Sequence, residues 1–199
     1  MTLAPAVAVF LEPPRLGLVK PRLAADVGPH HALRLYRVLT ARTLAAVREL
    51  GIPAVVWFTP ADAQPEMRHW LGSEWELRPQ AAGALGARLA LAARGVEPGR
   101  PWMVVLSETI GLAPARLAEA RDALLDVPAV LVATSDGGCA LIGARAPLAG
   151  LAAGLTGDGR ITAPVIRSAL DRLAAGWREL DPVSAIETGA DAKAAGLLT

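Results

Sequence analysis

Residues 6–11 read Ala-Val-Ala-Val-Phe-Leu, an unbroken apolar run with β-branched and aromatic side chains. Such a run lacks the polar alternation of a half-exposed strand, so it predicts a strand that is buried on both faces. Similar runs recur at residues 54–58, 103–106, 129–133 and 140–142. The sequence therefore predicts a central sheet that is covered on both sides.

Longer stretches between these runs carry apolar residues at helical spacing. The clearest covers residues 29–50, where Pro29 suits the first turn of a helix and Gly51 suits its end. Further helices are expected over residues 84–93, from about Pro114 onward, and over residues 162–175. Because strands and helices alternate, we expect an α/β fold: a three-layer α/β/α sandwich with a mainly parallel sheet, formed by all 199 residues as one domain.

Composition limits the classes of function. The 20 Lys and Arg residues nearly balance the 19 Asp and Glu residues, so no net positive field attracts nucleic acid and no nucleic-acid partner is expected. Cys139 is the only cysteine, which excludes an internal disulfide and favours a reducing, cytoplasmic location. The longest candidate membrane stretch, residues 146–157, is uncharged but shorter than the roughly 20 apolar residues of a membrane span, so no span is expected.

Ligands of parallel α/β sheets bind beyond the carboxyl ends of the strands. Those ends lead here into the loops 12–28, 59–64, 107–113 and 135–138. In the first loop, Arg15, Lys20 and Arg22 surround Gly17. Lysine and arginine bind phosphate oxygens and glycine lets backbone amides approach an anion, so this loop is a candidate phosphate site. A solvated loop with scattered positive charge is the alternative.

Acidic residues in two of the other loops, Glu108 and Asp136, are further candidates for ligand binding. Glu108 lies just after the run at 103–106, where one carboxylate could help to hold a divalent cation on phosphates; an exposed glutamate without a ligand is the simpler alternative. Asp136, Gly137 and Gly138 separate two apolar runs, which predicts a hairpin turn. The bare glycine backbone would also let a sugar or base approach closely.

The remaining reactive side chains form no catalytic set. His30 and His31 are adjacent and point about 100° apart on a helix, which favours surface positions over a metal pair. Cys139 lies in an apolar run and is expected to be a buried, unreactive thiol. The sequence offers no Ser-His-Asp or Cys-His arrangement.

Several segments form ordered motifs. A P-x-x-G-x-V-K-x-R-L motif consists of Pro14, Gly17, Val19, Lys20, Arg22 and Leu23, and a Q-x-x-G-x-L-G-x-R-L motif consists of Gln80, Gly83, Leu85, Gly86, Arg88 and Leu89. Residues 106–114, a D-G-G-x-x-L-I-G stretch at 136–143 and residues 185–191 follow. In this order the motifs resemble a bacterial glycosyltransferase-like family with the nucleotide-diphospho-sugar transferase (GT-A) fold, related to molybdenum-cofactor guanylyltransferases.

The resemblance implies a nucleotide site, a substrate pocket and a metal site. The implied nucleotide-binding residues are Pro14, Gly17, Lys20, Arg22, Gly83, Gly86 and Arg88, and the implied pocket residues are Asp136, Gly137 and Gly138. Glu108 and Glu187 stand where the family has metal-binding aspartates. The resemblance therefore implies that both carboxylates converge on one cleft that faces Lys20 and Arg22, and that they hold Mg²⁺ or Mn²⁺ there.

The implied activity is glycosyl transfer from a nucleotide-diphospho-sugar donor. One alternative is nucleotidyl transfer from a nucleoside triphosphate to a small phosphorylated acceptor. Another is a catalytically impaired relative that binds nucleotide without turnover. All of these share the nucleotide half of the substrate, so the motifs alone do not separate them.

The chain departs from the family pattern at several of these positions. Glu108 and Glu187 replace aspartates, Ala84 replaces an aspartate, Pro21 replaces a threonine, and Cys139 with Ala140 replaces an aromatic pair. A longer carboxylate displaces the metal-binding oxygens, and a misplacement of about 1 Å costs on the order of a hundredfold in rate. These departures predict weakened catalysis.

Overall fold

The computed structural model describes residues 4–97, 99–106, 109–145, 155, 162–173 and 176–198, and these contain eight strands. The strands are β1 Ala6–Leu11, β2 Ala54–Phe58, β3 Glu76–Pro79, β4 Trp102–Leu106, β5 Thr109–Ile110, β6 Ala129–Thr134, β7 Cys139–Ala144 and β8 Arg178–Ala185. The helices are α1 Pro21–Val27, α2 Pro29–Glu49, α3 Gln64–Leu71, α4 Leu85–Arg94, α5 Pro114–Asp126, α6 Ala163–Leu173 and α7 Gly189–Ala194. A 3₁₀ turn covers Ala61–Ala63.

The strands join into one sheet of mixed direction. Within the described residues the order is β3-β2-β1-β4-β7-β6-β8-β5. β1 pairs in parallel with β2 and β4, β2 with β3, and β6 with β8. β7 lies antiparallel between β4 and β6, and the short strand β5 lies antiparallel to β8. The other six strands run in one direction, which confirms the predicted mainly parallel sheet.

Helices cover both faces of the sheet. Neighbouring residues of β1 belong to different apolar clusters, because successive side chains of a strand point to opposite faces. The cluster on one face joins Val7 and Val9 to Leu44, Val47, Met67, Leu117 and Leu124 of α2, α3 and α5. The cluster on the other face joins Ala8 and Phe10 to Leu89, Ile166, Ala169 and Leu170 of α4 and α6. The three layers predicted from the alternation of strands and helices are therefore present.

The predicted strands and helices are confirmed, with ends that shift by one or two residues. Three strands, β3, β5 and β8, are not predicted from the sequence because none has a continuous apolar run. In β8 only Leu180, Val183 and Ala185 are buried, and the polar residues between them hide the strand. The prediction that residues 12–28 and 107–113 form loops is wrong in part, since the first range contains α1 and the second contains β5.

Three short helices, α1, α3 and α7, are also not predicted from the sequence. With six to eight residues each, they are too short to show a repeated apolar face. Pro21 and Pro65 occupy the first turns of α1 and α3, where proline is favoured. Those prolines are the signal that could have identified two of the three helices.

Parts of the predicted features lie outside the described residues. These are Ser107, Glu108, residues 174–175 of the helix predicted over 162–175, and all of the uncharged stretch 146–157 except Leu155. The helices in the described ranges include none with both the length and the apolar character of a bilayer-crossing helix.

Candidate functional site

A cleft of about 260 Å³ opens along the edge of the sheet where the parallel strands end. Its walls include residues at or just beyond the carboxyl ends of β1, β2, β3, β4, β6 and β8: Leu11, Glu12, Thr59, Gln80, Leu106, Thr134, Ala185 and Glu187. Leu85 and Arg88 of α4, and Gly138 and Cys139 at the start of β7, also line it. Parallel α/β sheets bind their ligands at this edge.

Lys20 is buried although its side chain is charged. It caps the amino end of α1 with a backbone φ of 51°, a left-handed conformation that costs a non-glycine residue about 1–2 kcal/mol. Its side chain is only 1% exposed, and Nζ donates a hydrogen bond to Oε1 of Glu187 at 2.8 Å. The buried ammonium thus contacts a carboxylate, which offsets its loss of water.

Arg22 reaches the same carboxylate from the first turn of α1. Its Nη2 donates to Oε2 of Glu187 at 2.8 Å and lies 3.9 Å from Oδ2 of Asp136. The hydrogen bond and the charge of Glu187 raise the pKa of this guanidinium, so it stays a cation. Because 54% of the Arg22 side chain is exposed, it can also reach a ligand.

Glu187 is held in place through its backbone. Its N–H donates to Oδ2 of Asp191 at 3.0 Å, and the same oxygen accepts from the N–H of Thr188 at 2.8 Å. Thr188 and Asp191 form a reciprocal capping box at the start of α7. The Gly189 N–H donates to Oδ2 of Asp26 at 2.8 Å, which ties this turn to α1. The carboxylate of Glu187 therefore has a fixed approach to the two cations.

The charges around Glu187 decide its protonation. Burial by itself would raise the pKa of Glu187, but the charge and hydrogen bond of Lys20, followed by those of Arg22, outweigh it and hold that pKa below its ordinary value. The carboxylate is therefore ionised at neutral pH. In Asp191 the hydrogen bond from Thr188 likewise lowers the pKa.

We expect this part of the fold to lose stability on acidification. A carboxylate with a lowered pKa stabilises the native state fully above its ordinary pKa, which is 4.5 for Glu187, and this contribution is lost as the pH falls through the lowered value. Urea unfolding of the wild type and of Glu187→Gln from about pH 6 to about pH 3 tests this. The difference in the free energy of unfolding between the two should shrink with falling pH, and a constant difference would contradict the expectation.

Arg15 does not join Lys20 and Arg22. Its Nε donates to Oε2 of Glu66 on α3 at 2.8 Å. A turn separates it from Lys20: the N–H of Leu18 donates to the Arg15 carbonyl at 3.2 Å, and Gly17 has a φ of 75°, which favours glycine. Of the three cations in the hypothesis that this loop binds phosphate, only Lys20 and Arg22 therefore remain candidates. Pro14 is buried just before the turn.

The predicted hairpin turn at residues 135–138 joins β6 to β7. Oδ1 of Asp136 accepts from Oγ1 of Thr134 at 2.5 Å and from the N–H of Gly138 at 3.3 Å. Gly137 has a φ of 82°, and its N–H donates to the Thr134 carbonyl at 2.9 Å. Since Gly138 lines the cleft and Asp136 approaches Arg22, the turn lies at the same end of the cleft as Glu187.

The Q-x-x-G motif lies toward the other end of the cleft. Nε of Arg88 donates to the Gly83 carbonyl at 3.1 Å, and Nη1 lies 3.5 Å from Oε1 of Gln80. Gly83 has a φ of 94°, and Gly86 is buried in the first turn of α4. The structure thus brings Gln80, Gly83 and Arg88 together but separates them from the cations of α1.

Sequence reasoning misses Thr109 in the cleft wall. Thr109 pairs with Ala185 between β5 and β8 and is 7% exposed. Its buried Oγ1 has no hydrogen-bond partner among the described residues. The position of Thr109 directly after Glu108 is the sequence feature that could have identified it as a cleft residue. Cys139 is a free, buried thiol as predicted, and burial raises its pKa to about 12, so it is unreactive at neutral pH.

Glu187 fits the role of a metal ligand only together with other groups. Among the described residues, no three side chains of His, Cys, Asp or Glu gather as a metal site. Both oxygens of Glu187 accept a hydrogen bond, and each retains a further lone pair. Mg²⁺ is commonly held by one or two carboxylates plus the phosphates of a substrate, which this donor set fits. Glu108 lies outside the described residues, so its convergence with Glu187 stays a prediction.

Solved structures share the fold. A protein from Desulfovibrio desulfuricans G20, inferred to be a nucleotide-diphospho-sugar transferase, matches with a TM-score of 0.81 and 23% identity over 94% of this chain and 84% of that one. The manganese complex of Rv0371C from Mycobacterium tuberculosis H37Rv matches with a TM-score of 0.60 and 19% identity over 98% of each chain. The inositol-1-phosphate CTP transferase from T. maritima gives 0.63 and 13% over 99% and 96%. The chain therefore has a nucleotide-diphospho-sugar transferase-like fold.

Sequence comparison defines the family. No curated protein matches the sequence. Residues 42–154, more than half of the chain, match a family of bacterial proteins. That span includes the Q-x-x-G motif and the turn at 135–138 but neither Lys20 nor Glu187. The chain belongs to the DUF2064 family, which is described as an uncharacterized protein conserved in bacteria.

Proposed function

We propose that this chain is a metal-dependent transferase that binds a nucleotide-diphospho-sugar and transfers its sugar to an acceptor. The observation that carries the proposal is the meeting of Lys20, Arg22 and Glu187 at one end of the cleft, although 167 residues separate Lys20 from Glu187. A metal-bound diphosphate needs hydrogen-bond donors for its oxygens and an anionic ligand for its metal ion. Lys20 and Arg22 supply the donors, and Glu187 supplies the anionic ligand.

The proposed donor site divides along the cleft. Lys20 and Arg22 bind the phosphates, with Pro14 and Gly17 shaping the turn before them. Gly83, Gly86 and Arg88 bind the nucleoside part. Asp136, Gly137 and Gly138 face the sugar or the acceptor, because their turn lies beside Arg22 and Glu187.

Glu187, together with Glu108, would hold Mg²⁺ or Mn²⁺ in this scheme. When bound, the cation would neutralise charge that develops on the diphosphate leaving group. Lys20 and Arg22 act on the same charge by donating hydrogen bonds to the phosphate oxygens. The manganese in the structural neighbour from M. tuberculosis supports a divalent cation at this fold.

Nucleotidyl transfer is the second candidate. The structural neighbour from T. maritima is a CTP transferase that acts on inositol 1-phosphate, so this fold supports that chemistry. The two reactions release different products. Glycosyl transfer releases a nucleoside diphosphate from a sugar donor, whereas nucleotidyl transfer releases pyrophosphate from a nucleoside triphosphate.

Thermal unfolding in the presence of UDP, GDP, CDP and dTDP, each with and without Mn²⁺, tests the proposal. We expect at least one nucleotide to raise the midpoint only when Mn²⁺ is present, because Glu187 and the phosphates would hold the cation together. In Glu187→Gln the metal-dependent shift should disappear. Stabilisation that is equal with and without Mn²⁺ would favour a protein that binds nucleotide without turnover, and no stabilisation by any nucleotide would contradict the proposal.

A further inference from the structure

Arg88 is a cation in the cleft wall that forms no ion pair with an acidic side chain of the described residues. It projects from the first turn of α4. Within the described residues its hydrogen bonds go to two neutral oxygens, the Gly83 carbonyl at 3.1 Å and Oε1 of Gln80 at 3.5 Å. The fold therefore holds this guanidinium at the cleft without neutralising it.

Gln80 fixes the direction of the guanidinium. It is 8% exposed, and its Nε2 donates to the Trp57 carbonyl at 2.8 Å and lies 3.5 Å from the Leu11 carbonyl. Because backbone oxygens take both protons of this amide, Oε1 is the atom that Gln80 presents to Arg88. Gln80 is therefore a positioning residue that acts through Arg88.

Arg88 and Glu187 belong to opposite ends of the cleft. Arg88 belongs to α4, which follows the edge strand β3, whereas Glu187 follows β8, on the other side of β1 and β4 in the strand order. Lys20 and Arg22 both contact Glu187. Phosphates bound at that end leave Arg88 to contact another part of the nucleotide.

The edge that Arg88 leaves for a ligand consists of Nη2 and the second N–H of Nη1, since Nε donates to Gly83 and one N–H of Nη1 donates to Gln80. This edge is a rigid fork that only donates hydrogen bonds, so it matches two adjacent acceptors. Guanine offers such a pair in O6 and N7, as does cytosine in O2 and N3. Adenine places an amino donor beside N7, and in uracil and thymine an N–H donor separates the two carbonyl oxygens.

We infer that Arg88 determines the base specificity of the cleft and selects a nucleotide whose base carries two adjacent acceptors, guanine or cytosine. The inference rests on the proposed function, because it takes the phosphates to lie at Lys20 and Arg22. It adds the class of nucleotide that the site accepts and the residue that chooses it.

Calorimetric titration of GDP, CDP, UDP and dTDP into the full chain with Mn²⁺ tests this inference. We expect GDP or CDP to bind about tenfold or more tightly than UDP and dTDP, the discrimination that a bidentate arginine provides. Arg88→Lys retains the charge but loses the fork, so it should bring the four affinities together. Arg94→Lys, on the exposed last turn of the same helix, is the matched control and should retain the preference.

The other outcomes separate the two proposals. An equal loss of affinity for all four nucleotides in Arg88→Ala would indicate a phosphate contact and overturn the inference. A base preference that survives in Arg88→Lys would also overturn it, as would equal binding of all four nucleotides by the wild type. If the wild type binds none of them, the proposed function itself fails. Urea unfolding of each variant establishes that the protein remains folded.

Discussion

Glu187→Ala is expected to lower the free energy of unfolding by about 3 kcal/mol, a typical cost of removing one member of a buried ion pair. The reason is the burial of Lys20, whose ammonium loses the carboxylate that it contacts at 2.8 Å while only 1% of its side chain is exposed to water. Lys20 also holds a left-handed backbone, so a weaker contact there loosens the start of α1. Urea denaturation at neutral pH measures the effect.

Glu66→Ala is the matched control for this experiment. It also removes a glutamate from a pair with an arginine of the same loop, but both side chains of the Arg15 and Glu66 pair are 37% exposed. Exposed pairs contribute about 0–1 kcal/mol, so the loss should be much smaller. Equal losses in the two variants would show that the burial of Lys20 does not carry the effect.

Arg22→Ala is expected to weaken the affinity for a nucleoside diphosphate by about 1.5–3 kcal/mol, the range for a hydrogen bond to a charged group. That is roughly a ten- to hundredfold loss or slightly more. The Arg22 side chain is 54% exposed and contacts Glu187 at the end of the cleft. The substitution therefore removes a hydrogen-bond donor for the phosphates without leaving a cavity in the core. Titration calorimetry with Mn²⁺ present measures the loss, and thermal unfolding checks the fold.

Arg15→Ala provides the comparison for this loss of charge. It removes a cation seven residues earlier in the same segment, but Arg15 points to α3 and contacts Glu66. Its removal should leave nucleotide affinity within about twofold of the wild type, since the long-range charge is screened by salt. If the two variants lose affinity equally, binding depends on the general positive charge of the loop and the specific role of Arg22 is wrong.

The fold could be predicted where burial and sequence coincide. β1, β2, β4, β6 and β7 are buried along most of their length, so each appears as an apolar run. β8 carries polar residues on its exposed positions and a proline, Pro182, and its strand character comes from pairing with β6. The order of strands in the sheet depends on such long-range pairing, which no local pattern contains.

The sequence could predict which residues form the candidate site better than it could predict the contacts between them. Motif spacing marks Lys20, Arg22 and Glu187, and the structure brings these three together. The separation of Arg15 depends on one turn at Gly17 and on Glu66, and the burial of Lys20 depends on the packing of α1 against α2 and α7. The hydroxyl of Thr109 becomes noticeable only once the sheet places it in the cleft wall.

The long sequence separation between Lys20 and Glu187 also affects the order of events during synthesis. The two cations leave the ribosome well before their carboxylate, which follows β8, 167 residues after Lys20. A nascent chain that pauses before β8 can pair β1, β2 and β4, but it cannot yet bury Lys20 against Glu187. The segment after β8 thus supplies both the counter-ion for Lys20 and the acidic side of the cleft, so the site cannot be completed before this segment has been translated.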